Sequence, residues 1–312
     1  MQKKIQQHYV WEHYLTSWCY NGKQLYCYRK NDNNIFPTNP EKIAKEREFY
    51  KLKDITPNEA ALIEHLFINP NKNPVIRKIN RNWISRFTDI FVLKQLVKNK
   101  KNDELDTMID VLITNLEEDH HTRLEERAIP YLNSLKDGQL NINNDDDSFV
   151  DFLLFLSTQY YRTKRIKMNV IRSTKEAADR VGLSLEKNVE NIWNISSHIL
   201  ATSFAHTLFI ASENFKWTIL TNTGNIPFIT GDQPVINTHA NYSLNETTTE
   251  LELYYPLSPD KALLISTVNY LDSSTKVEID ENQVSRYNLL MLKASEEQVF
   301  SNSREILNNL TV

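Results

Sequence analysis

The sequence predicts an α+β fold, with a helical middle region packed on an antiparallel sheet formed by an N-terminal hairpin and C-terminal strands. Three observations predict it. Residues 56–212 carry apolar positions at helical spacing, punctuated by caps and stops. After Ser212 the pattern changes to short alternating apolar runs separated by Gly, Asn, Asp and Pro turns. Near the start, Asn21-Gly22 is a hairpin signal followed by alternation of Leu25 and Cys27 with Tyr26 and Tyr28. By length the 312 residues suit one large domain or two closely packed ones, with subregions 1–55, 56–212 and 213–312.

Composition narrows the class. Hydrophobic content is 40% and charged content 24%, as in an ordinary globular protein. A net charge of −4 excludes a global basic field that would recruit nucleic acid, and leaves room for a local basic patch. No window is apolar enough for a signal peptide or a membrane span, so a cytoplasmic protein without membrane association is expected. Cys19 and Cys27 have neither the number nor the spacing of a zinc site or disulfide framework, and are read as reduced thiols.

The elements follow in order. Residues 8–10 form a short strand or enter a helical turn through Glu12 and Leu15. Residues 17–20 pair with 24–29 across Asn21-Gly22. The stretch 31–40 is a loop, and Glu48-Phe49-Tyr50 a short strand. Thr56-Pro57-Asn58-Glu59 is a capping box with Pro at the first helical position, and Asn69-Pro70 stops that helix. Helices over 82–98, 105–116 and 125–135 come next, with Pro130 breaking or kinking the last. Asp145-Asp146-Asp147 lacks the spaced ligands of a calcium loop and reads as the cap of a helix.

That helix, 151–174, begins as the most apolar run in the chain and ends basic. Phe152, Phe155, Gln159 and Ile166 fall in one narrow arc, with Arg162 at its edge. A glutamine inside an apolar stripe must find partners or leave a buried amide costing about 1–3 kcal/mol. A polar group opposite it is therefore expected, and an Arg162–Asp232 pair would supply one. Ser173-Thr174-Lys175-Glu176 is a second capping box, closed by Gly182. A long amphipathic helix spans 186–210. Strands are expected at 217–220, 227–230, 234–237, 251–255, 262–267 and 298–301, with a helix over 281–293.

Several segments form an ordered set: Gln7-His8-Tyr9-Val10 with Tyr14-Leu15, Glu48-Phe49-Tyr50, Gln159 with Arg162-Thr163 and Arg165, Thr230-Gly231-Asp232-Gln233-Pro234-Val235, and Tyr255-Pro256-Leu257-Ser258-Pro259. The set resembles the domain-of-unknown-function family four-two-three-eight, which has an N-terminal His-Tyr-Val-Pro signature. Trp11 stands where that family usually has proline. The resemblance covers nearly the whole chain and implies a single domain over 1–312. It implies a stand-alone bacterial protein and no assigned activity.

The chemistry is read from residue types. Imidazole shuttles protons near neutral pH or ligates metal, which singles out His8; its bland reading is a bond to backbone near a hairpin. Arg162 and Arg165 offer planar forks that match phosphate, and Gln159 can position a substrate; their bland reading is a network pinning a helix to the sheet. Asp232, in a Gly-Asp turn after a strand, suits a carboxylate that orients His8 or binds metal, although turn aspartates more often bond their own backbone. Tyr9, Gln233 and Arg165 complete a candidate phosphate-binding set. Glu117-Glu118-Asp119-His120-His121 looks like a metal cluster, but adjacent histidines diverge on a helix, and a solvated helix end is expected instead. No metal ligands are assigned, and a divalent cofactor is left open. No P-loop, Rossmann fingerprint, nucleophile elbow or zinc-protease motif occurs. The expectation is an enzyme cleaving phosphodiesters, a nuclease acting on RNA or phage-related nucleic acid. His8, Gln159, Arg162 and Asp232 would be catalytic. The alternatives are a non-catalytic interaction module and a small-anion or nucleotide sensor using the same residues.

Overall fold

Strands come from both ends of the chain and helices from its middle. The computed structural model describes residues 2–98, 102–143, 146–180, 185–241, 248–267 and 275–311. β1 (Gln6–His8) and β4 (Lys45–Arg47) form an antiparallel ribbon in which His8 lies opposite Lys45, with α1 (Glu12–Leu15) following β1. β2 (Leu25–Arg29) pairs with β3 (Asn34–Thr38). This differs from the expected partner, residues 17–20. The Asn21 side chain accepts from the Gln24 amide at 2.7 Å and closes a tight turn there, while Thr16–Trp18 winds into a 3₁₀ turn. The loop expected over 31–40 instead holds β3, where Ile35 and Phe36 override the flanking turn formers. Pro37 is tolerated because β3 is an edge strand. The strand expected at 48–50 ends three residues earlier, since Glu48 takes φ 53° and turns the chain.

The helices are α2 (Pro57–Ile63), α3 (Pro74–Val97), α4 (Asp103–Lys136), α5 (Asp147–Tyr161), α6 (Lys164–Asp179) and α7 (Glu186–Ile210). The Thr56 capping box forms as predicted, with the Thr56 side chain accepting from the Glu59 amide. α4 is one helix where two were expected. Pro130 sits on its exposed side, while Leu124, Ala128, Tyr131, Leu132 and Leu135 bury the other face and carry the helix through. The helix expected over 151–174 breaks at Arg162-Thr163 into α5 and α6. Ser173 and Thr174 therefore lie inside α6 rather than at a cap, and Gly182 lies outside the described residues.

The C-terminal third supplies β5 (Lys216–Asn222), β6 (Thr230–Gly231), β7 (Ile236–Asn237), β8 (Glu252–Ser258), β9 (Lys261–Ser266), β10 (Lys276–Ile279), α8 (Glu281–Ala294), β11 (Gln298–Ser301) and α9 (Arg304–Thr311). One sheet has the order β10-β5-β9-β8-β7, antiparallel apart from the parallel pair β10–β5. A second, antiparallel, has the order β3-β2-β11-β6 and joins the N-terminal β2–β3 hairpin to β11, the last strand of the chain. The class is thus α+β. One core cluster draws Tyr9 and Trp18 from the start, Leu132 and Phe155 from the helices, and Trp217, Leu263 and Phe300 from the end. Cys19 and Cys27 are free thiols. Among the described residues, no helix is long and apolar enough to cross a membrane.

Candidate functional site

α4 places Glu117, His121 and Glu125 one turn apart along one face, and all three are buried. α5 brings Gln159 toward that face. Asp146 caps α5 by accepting from the Ser148 amide at 2.8 Å, and Phe149, Phe152, Phe155 and Leu156 sink it into the core. The polar counterpart that Gln159 requires is local. Its Oε1 accepts from Arg162 Nη2 at 3.1 Å. The same guanidinium nitrogen lies 2.7 Å from Glu125 Oε1. The pair expected between Arg162 and Asp232 is therefore made with Glu125, because the break after α5 turns Arg162 toward α4.

β1 closes the chamber from another side. Gln7 Nε2 donates to the Thr114 carbonyl at 2.7 Å, and Gln7 Oε1 accepts from the Tyr50 amide at 2.6 Å. This clamp sets β1 against α4. The His8 backbone amide then bonds the Glu118 carboxylate, and the Arg162 charge acts on the His8 ring. His8, Tyr50, Glu118, Glu125, Gln159 and Arg162 thus share one polar interior.

The electrostatics follow from burial. Arg162 is 3% exposed. Burial opposes its charge, but Tyr50, Glu125 and Glu118 outweigh that and hold its pKa above the usual arginine value. Burial pushes Glu118 up to about 7, with Arg162 pulling the other way. His8 is lowered by burial first, then by Lys45 and Arg162, while a bond to the Glu41 backbone opposes this. The His8 imidazole is accordingly neutral at neutral pH. Three buried nitrogens, His8 Nε2, Gln159 Nε2 and Arg162 Nε, have no hydrogen-bond partner among the described residues.

Asp232 does not join this group. Its Oδ1 accepts from the Glu296 amide at 2.7 Å, and its Oδ2 from the Glu297 and Gln298 amides at 2.6 and 2.9 Å. Burial pushes its carboxyl up to about 6 against those three bonds. Asp232 caps the turn that feeds β11, as a scaffold residue would. Gln233 is tied up likewise: it accepts from the Thr163 hydroxyl and donates to the Tyr160 carbonyl at 3.2 Å and the Val235 carbonyl at 2.7 Å. Arg165 pairs with Glu296 at 2.9 Å. The Tyr9 ring is buried against Phe49, with Lys164 Nζ 4.9 Å from its centroid. Of the seven candidates, His8, Gln159 and Arg162 are brought together, while Asp232, Gln233, Arg165 and Tyr9 line the neighbouring junction of α6 with the sheet.

The solvated helix end expected at 117–121 is instead the middle of α4, with Glu117 and His121 buried and residues 118–120 half-buried. His120 and His121 do diverge, but Glu117 and His121 share a face, and His198 of α7 meets them. His198 was not singled out in the sequence. The usable signal was the one that flagged Gln159: Asn194 and His198 interrupt an apolar stripe of Ile192, Ile195 and Ile199.

Compared with known proteins, the chain matches the family described as Protein of unknown function (DUF4238) over residues 6–305. No curated protein and no solved structure matches it.

Proposed function

The chain belongs to the DUF4238 family, and we propose that it cleaves phosphodiesters, as a nuclease acting on RNA or phage-related nucleic acid in the bacterial cytoplasm. The observation that carries this reading is the trio of unused nitrogens, His8 Nε2, Gln159 Nε2 and Arg162 Nε, in one buried chamber. Gln159 Nε2 and Arg162 Nε are buried donors without an acceptor, which is costly, and anionic phosphate oxygens are the acceptors that would suit them best, while His8 Nε2, on a ring that already bonds the Glu41 backbone, is left bare to accept a proton. In this reading the neutral His8 takes the proton of the attacking hydroxyl or water and returns it to the leaving oxygen. Arg162 stabilises charge developing on the phosphoryl oxygens, held in orientation by Glu125 and Gln159. Lys45, opposite His8 on β4, adds positive charge beside the imidazole. Asp232 acts at one remove, by fixing the turn before β11.

A second reading has its own support. Arg162 is almost wholly enclosed and ion-paired, as in a structural network of a non-catalytic binding module. The two are separated by incubating the purified protein with labelled single-stranded RNA, single-stranded DNA and duplex DNA, with Mg²⁺, with Mn²⁺ and with chelator. Cleavage of at least one substrate is expected. Intact substrates under every condition, together with tight binding of some other ligand class, overturn the nuclease reading.

A further inference from the structure

We infer that Glu117, His121 and His198 form a binding site for one divalent transition-metal ion, with Zn²⁺ the best match to the ligand set. One ligand atom from each of the three lies within 4.8 Å of the other two. His198 Nε2 is 3.3 Å and His121 Nε2 3.6 Å from Glu117 Oε1. Metal–ligand bonds of about 2.0–2.2 Å in a tetrahedron place neighbouring ligands roughly 3.4 Å apart, so these edges already fit. Two imidazoles and one carboxylate are a ligand set that zinc uses with a fourth position open.

A second observation points to the ion independently. His121 and His198 are each 3% exposed, yet both His121 ring nitrogens and His198 Nε2 have no hydrogen-bond partner among the described residues. Buried imidazole nitrogens without partners each cost about 1–3 kcal/mol. One cation would satisfy an Nε2 from each ring and the carboxylate oxygen together. The surroundings hold the ligands in place. Asn194 Nδ2 donates to the other Glu117 oxygen, Oε2, at 2.8 Å, which aims Oε1 at the histidines. The Trp83 ring stacks on His198 at 4.5 Å and 17°, and Tyr50 lies 4.5 Å from His121. Two helices thus each present an i, i+4 pair, Glu117/His121 and Asn194/His198, to one point.

The site stands apart from the nuclease proposal, because its test reads metal and not cleavage. Wild-type protein stripped with chelator and titrated with Zn²⁺ or Co²⁺ is expected to take up about one ion per chain. The Co²⁺ form should show visible bands of a low-symmetry site, and the melting temperature should rise on loading. Glu117→Gln and His198→Gln, checked for folding by circular dichroism, should each weaken uptake by about tenfold or more. If a variant fails to fold, the wild-type Co²⁺ spectrum decides. Stripped wild type that binds neither ion, or folded variants that bind as tightly as wild type, would overturn the site.

Discussion

Arg162 shows how one residue ties the interior together. Placed at the end of α5, it bridges Gln159 to Glu125 on α4, in a space where both side chains are largely withdrawn from water. Removing one partner of such a pair leaves the other buried and uncompensated, which costs about 3–5 kcal/mol. Arg162→Ala should therefore lower the unfolding free energy in urea by that amount, and Arg162→Met combined with Glu125→Leu should recover most of it. Equal stability of the single variant and wild type would show that the pair is solvated. His8 offers a test by pH. Its pKa lies below the ordinary 6.5 because burial disfavours the imidazolium. The unfolded chain therefore takes the proton first; the contribution to stability is complete above pH 6.5 and is lost as pH falls toward the folded value. Any cleavage activity should show an acid limb centred below pH 6.5, and a limb above that value would rule His8 out as its base. At this scale the sequence was informative about need and silent about partner. Gln159 in an apolar stripe demanded a hydrogen bond, but nothing in the order of residues separated Glu125 from Asp232 as the carboxylate beside Arg162.

Elements explain what went differently. The 151–174 stretch is helical throughout by composition, yet it breaks after Tyr161, where Gln233 bonds the Tyr160 carbonyl and the Thr163 hydroxyl from the β6–β7 loop. That break comes from tertiary contacts, so no local pattern announced it. The same holds for α4, whose buried face outweighs Pro130, and for β2, which takes β3 and β11 as neighbours rather than residues 17–20. Two signals of a local hydrogen bond were legible, since the Thr56 capping box and the Asp146 cap form as read, whereas the Ser173 box lies inside α6. The Gly231-Asp232 turn adds a steric requirement. A Cβ on Gly231 would collide with the Ser295 hydroxyl, which donates to the Met291 carbonyl at 2.8 Å, and would sit 3.2 Å from the Gln298 carbonyl. Gly231→Ala should displace β6 from β11 and destabilise the protein by about 1–3 kcal/mol, measured by thermal melting. An unchanged melting temperature would mean that the turn yields freely.

On the scale of the molecule, the two ends of the chain meet in one sheet, and the helical middle encloses the polar chamber beside it. The switch from helical to strand periodicity near Ser212 made the class readable, because periodicity is a property of the chain itself. The chamber was only half readable, because it is assembled from β1, α4, the α5–α6 junction and α7, whose meeting is decided by core packing. Its functional meaning rests on whether His8 does chemistry there. The direct measurement compares cleavage of labelled single-stranded RNA by wild type and His8→Gln, each confirmed folded by its melting temperature. Wild type is expected to cleave, and His8→Gln to lose about 100-fold or more of that rate at a matched melting temperature. Equal rates for the two proteins would remove His8 from the chemistry.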